Sequence, residues 1–110
     1  MADSGSTLVH DVRNQLSAIL MFISLLGKVE LPGEIHIRLS VSAEELRTVL
    51  TEPDLAAATH HDLNAMMDAF SEVLRNIEIT QLPEEFVLFR TDIIARIPIT
   101  IELWSSLTQL

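Results

Sequence analysis

The stretch Leu8–Leu26, LVHDVRNQLSAILMFISLL, decides the fold. Its apolar positions Val9, Val12, Leu16, Ile19, Ile23 and Leu26 follow one another at intervals of three and four, the period that lines side chains along one stripe of a helix. The spacing predicts a helix that buries this stripe in a bundle. Leu20, Met21, Phe22 and Leu25 widen the stripe until little polar surface remains in the C-terminal half. That half must be covered on several sides, by other helices or by a second subunit. Ser4, Ser6 and Thr7 offer N-cap oxygens ahead of the stripe, and Gly27 stands where a left-handed C-cap is favoured.

Outward from this helix the punctuation changes. Pro32-Gly33 breaks the chain. Ile35, Ile37, Leu39 and Val41 then alternate with polar residues as in a strand, while Ile35, Leu39, Leu46 and Leu50 also fit one helical face. Ser42-Ala43-Glu44-Glu45 reads as a capping box, predicting a helix from about Ala43 to Thr51 that Pro53 ends. Asp54 to Ile77 is a second strong helix, with Leu63, Met66, Met67, Phe70, Val73, Leu74 and Ile77 on one face, and it is expected to pack against the first. Pro83-Glu84-Glu85 suits another helix start, with Phe86, Phe89, Ile93 and Ile94 as its apolar face. Pro98 interrupts that helix. The tail beyond it fits either a strand over Ile97–Leu103 or a final helix carrying Leu103, Trp104 and Leu107.

These elements predict an all-α single domain over residues 1–110: a helical bundle, dimeric with a four-helix core, with one or two short strands as the alternative at the two ambiguous stretches. A chain of 110 residues, 48% hydrophobic with only three Gly and four Pro, has material for one buried core and is too apolar to be disordered. Seven Lys and Arg against sixteen Asp and Glu leave a net charge of −9, which repels nucleic acid. Leu16–Leu26, the longest apolar run, has eleven residues with two serines among them, against the roughly 20 that a membrane helix needs. No basic cluster precedes it, so no secretory signal is expected. The absence of Cys excludes disulfides and thiolate metal sites, and the chain is expected in the cytoplasm.

On the first helix His10 has Ser6, Thr7, Arg13 and Asn14 three and four residues away and Ser17 two turns on, so it stands on a polar strip open to solvent. A neutral imidazole is a nucleophile toward phosphorus, and a neighbouring carboxylate such as Asp11 can act as base or hold the ring's tautomer.

The run His10-Asp11-Val12-Arg13-Asn14-Gln15-Leu16-Ser17-Ala18-Ile19 resembles the H-box, the phosphoacceptor motif of sensor histidine kinases. The resemblance covers Leu8 to Leu26. It implies a dimerisation and phosphotransfer helix, with His10 as phosphoacceptor and Asp11 as its acid/base neighbour. Arg13 and Ser17 would help bind the partner, a response-regulator receiver domain or a histidine kinase. The family also dephosphorylates receivers with the acid plus an Asn or Thr three residues on, or a Gln four residues on. Asn14 and Gln15 occupy both positions after Asp11, and either amide could orient a water for attack on an aspartyl phosphate. The departures are equally definite. Gly occurs only at 5, 27 and 33, so no glycine-rich loop exists to cradle ATP, and Gln15 stands where the family usually has proline. The resemblance therefore implies a histidine phosphotransferase or receiver phosphatase and not an ATP-dependent kinase.

A second class of function uses the same residues differently: a non-catalytic regulatory or interaction protein with an acidic helical surface, on which His10 is only a solvated side chain. Arg13 then pairs with an acid or packs its stem. No cofactor is expected. His60-His61 with Asp62, Asn64 and Asp68 is a poor metal site, since adjacent helical side chains diverge by about 100° and no second spaced pair exists. Glu44-Glu45 and Glu84-Glu85 read as helix N-terminal acids.

Overall fold

In the computed structural model, which describes residues 3–52, 62–77 and 82–109 with side chains from Thr7 onward, every regular element is a helix. They are α1 (Asp3–Leu26), α2 (Gly33–Leu50), α3 (Leu63–Asn76) and α4 (Glu84–Thr108). Core positions recur at intervals of three and four along each. Val12, Leu16, Ile19, Ile23 and Leu26 line α1, Ile35, Leu39, Ala43, Leu46 and Val49 line α2, and Ile93, Ile97, Thr100, Trp104 and Leu107 line α4. This is the seam of helices packed lengthwise. Thr100, the buried polar residue of the seam, donates its hydroxyl to Arg96 O at 2.7 Å and so leaves no polar atom unpaired.

The helices close into a ring in chain order. α1 packs on α2, α2 on α3, α3 on α4, and α4 returns to α1. Neighbours run antiparallel: Phe22 meets Phe89 at 5.0 Å between ring centres while the earlier Gln15 meets the later Arg96. The packing of the Asp54–Ile77 helix against the first, expected from sequence, is therefore corrected, since α3 lies diagonally across the core from α1. The apolar breadth of α1 is answered within the chain: α2 and α4 flank it, and Phe22 and Leu26 become fully buried.

Both stretches that read as strand are helical, among the described residues. α2 runs unbroken from Gly33, so Ser42-Ala43-Glu44-Glu45 lies inside a helix and caps nothing. Only every third or fourth residue of Ile35–Val41 is buried, which leaves Ile37 67% and Val41 54% exposed. In α4, Pro98 sits inside the helix on its exposed side. A proline there costs about 3 kcal/mol. Burying Ile97, Trp104 and Leu107 on either side of it returns roughly 1.5–3 kcal/mol each, so one continuous helix prevails.

The ends of the helices also differ from expectation. α1 begins at Asp3, which places Ser4, Ser6 and Thr7 within it. Gly27 has no positive φ; its N–H still bonds to Ile23 O, and Lys28 and Val29 tighten the turn by bonding three residues back. Asp62 caps α3 through its side chain, accepting from Ala65 N at 3.1 Å. The expected helical residues 54–61, with His60, His61 and the stop at Pro53, lie outside the described residues. No helix among the described residues is long and apolar enough to cross a membrane.

Candidate functional site

The residues singled out on α1 fall on three strips, because successive helical positions are turned by about 100°. His10, Asn14 and Ser17 are exposed together with Thr7, Met21 and Ser24, and form a strip facing solvent. Asp11 and Gln15, one turn apart, are half-buried on the flank nearest α4. Arg13 turns the other way, toward α2.

On the solvent strip the Asn14 side-chain amide nitrogen lies 3.2 Å from His10 Nε2. In the tautomer that carries its proton on Nδ1, Nε2 accepts from this amide. The imidazole is oriented by a neighbour one turn away and open on its other faces. The one side-chain contact of Asn14 among the described residues is through its nitrogen.

The α4 flank is built differently. Gln15 Oε1 accepts from Arg96 Nη1 at 3.1 Å, and Arg96 Nε donates to Asp92 Oδ2 at 2.9 Å. The i, i+4 pair on α4 thus reaches across to hold an amide on α1. Asp11 has no side-chain hydrogen-bond partner among the described residues.

Arg13, expected to bind a partner, is engaged inside the molecule. It donates to the carbonyls of Leu50 and Glu52, both at 2.9 Å, where α2 runs out of its own donors. Arg90 does the same for α3, donating from Nη2 to Leu74 O at 3.2 Å. Arg96 and Asp92 are the residues that sequence reasoning missed. Their i, i+4 spacing is visible as a salt-bridge pattern, but the bond from Arg96 to Gln15 spans 81 positions.

On the apolar face of α3, Met67 is buried and Met66 half-buried against the core. Glu84 and Glu85 occupy the first turn of α4, as acids at a helix start should. Glu44 lies mid-helix in α2 and pairs with Arg47 at 3.4 Å. No family model, curated protein or solved structure matches the chain.

Proposed function

We propose that the chain is a two-component signalling module that docks a receiver domain through the solvent strip of α1, acting as histidine phosphotransferase or receiver phosphatase. One observation carries the reading. The His10 ring, on which the resemblance rests, stands exposed on a helix that packs against α2 and α4, with the Asn14 side chain 3.2 Å from Nε2. A buried ring would have removed the proposal. Transfer would move the phosphoryl group from the receiver's aspartate to the imidazole lone pair, and the reverse step would return it. A cytoplasmic location and a homodimer belong to the same proposal, the latter because the H-box helix is a dimerisation helix in the family it resembles.

The experiment charges the receiver domains of the source genome with acetyl phosphate, mixes each with the chain, and follows acid-labile phosphate on both proteins. The expected result is phosphate taken up by the wild type and not by His10→Ala, or accelerated loss of receiver phosphate. Uptake that persists in His10→Ala overturns the phosphoacceptor role. Sedimentation equilibrium tests the dimer separately, against the 12.3 kDa of one chain.

The non-catalytic alternative draws on a different observation. Ile37 and Val41, one turn apart on α2, are more than half exposed beside Arg38 and Glu45, the kind of apolar ridge that partner proteins cover. Inertness toward every charged receiver favours it.

A further inference from the structure

We infer that a second copy of this chain docks on the outer face of α2, antiparallel to it, with the two-fold axis between Val41 and Ser42. This rests on the homodimer of the function proposed above and deepens it: the interface is the α2–α3 side of the ring and not the H-box helix.

Ile37 and Val41 stand more than half exposed, one turn apart on α2. Beside them α3 presents Ala69, too short to fill the space between the helices, and a cleft of about 170 Å³ opens there with buried Val73 in its wall. The same surface thus carries a ridge and a hollow. A two-fold interface needs that combination, because each copy must offer both the projecting and the receiving part. On α1 the apolar stripe is already covered by the rest of the bundle, and the solvent strip is polar apart from Met21.

Charge decides the occupant and its direction. Arg38 and Glu45 line the same cleft. Seven residues separate them, two turns or about 10 Å along one line of the helix. The ion pairs among the described residues, Glu44 with Arg47 and Asp92 with Arg96, use neither of them. A foreign helix with charges of one sign would gain at one of these residues and lose at the other. A second, antiparallel α2 reverses their order. Arg38 and Glu45 are equally far from the axis between Val41 and Ser42, so each Arg38 stands opposite the Glu45 of the other copy, twice by symmetry. In this register Glu34 lies level with Val49 of the other copy and Glu44 with Leu39, so no acids of the outer face meet. Because the cleft is lined by α2 and α3 alone, pairing there leaves the His10 strip of α1 open to a receiver.

Sedimentation equilibrium of the wild type and of charge-reversed chains tests this. The wild type is expected to be a dimer. Arg38→Glu and Glu45→Arg each turn both pairs repulsive, at about tenfold per pair, so either alone should raise the dimer dissociation constant about 100-fold. Mixed in equal amounts, the two variants should form a heterodimer of nearly wild-type affinity, since one chain then supplies both acids and the other both guanidinium groups. That recovery also shows that both chains are folded. Val41→Asp, which brings two carboxylates together at the axis, should give monomers. Variants that weaken the dimer without pairing with each other overturn this interface, and so does a dimer indifferent to all three substitutions. If Met21→Glu on the α1 strip splits such a dimer, the homodimer of the proposed function stands on the H-box helix. A wild type that stays monomeric overturns this interface and the homodimer alike, while the receiver assay decides the phosphate chemistry independently.

Discussion

Arg13 of α1 holds the carbonyl oxygen of Leu50, the last residue of α2, at 2.9 Å, and its second terminal nitrogen holds Glu52 O at the same distance. One side chain adds two donors to the end of a helix whose C-cap, Thr51, itself bonds back to Arg47 O.

Replacing Arg13 with Met keeps the stem and removes both bonds. Hydrogen bonds to a charged group are worth about 1.5–3 kcal/mol, and because the site is only part-buried, water can take over the carbonyls. Arg13→Met should therefore lie near the lower end of that range in urea unfolding. An unchanged midpoint would show that the two bonds contribute nothing.

Arg90 makes an instructive contrast. Among the described residues it gives one bond, to Leu74 O at 3.2 Å, and its buried Nε has no partner. An unpaired buried N–H costs about 1–3 kcal/mol, enough to cancel the bond. Arg90→Met is expected to change stability by less than about 1 kcal/mol, and a loss as large as that of Arg13→Met would refute this balance.

Pro98 has no N–H to give Ile94 O, and its own side chain is exposed. Pro98→Ala restores the bond without touching the core. It should raise stability by at most about 3 kcal/mol, the full propensity difference, and by less where α4 has already relaxed around the ring. Chemical denaturation gives the answer, and a lowered midpoint would mean that the fold depends on the proline.

Phe22 is fully buried and packs its ring on Phe89 at 5.0 Å and Phe86 at 6.3 Å. Phe22→Ala should cost about 3–5 kcal/mol, a large part of the 5–15 kcal/mol that holds a typical domain together. Loss of the cooperative melting transition, or a midpoint lowered to match, is the expected readout.

Much of the bundle can be read from periodicity, because burial imposes it. Val12, Leu16, Ile19, Ile23 and Leu26 are core as their spacing demands, and so are Leu63, Met67, Phe70, Val73 and Leu74. Periodicity fails where apolar residues are left on the surface. Ile37 and Val41 make α2 look like a strand only because they are exposed, and no local rule says that they should be. The start signal at Ser42 and the stop signal at Pro98 are both overridden, because continuous burial on either side outweighs a cap or a missing donor. At the site, the exposure of His10 and its contact with Asn14 follow from helical geometry one turn apart. The hold of Arg96 on Gln15 does not, since it exists only once α4 has folded back along α1.

That return of α4 along α1 has a consequence for what could be joined to the molecule. Asp3 and Thr108, the outermost helical residues, share one end of the bundle, and His10 lies only two turns from it. A domain tethered by a short flexible linker at either terminus would therefore visit the imidazole at an effective concentration on the order of millimolar. Covalent attachment from either side could make a weak encounter productive without any gain in contact.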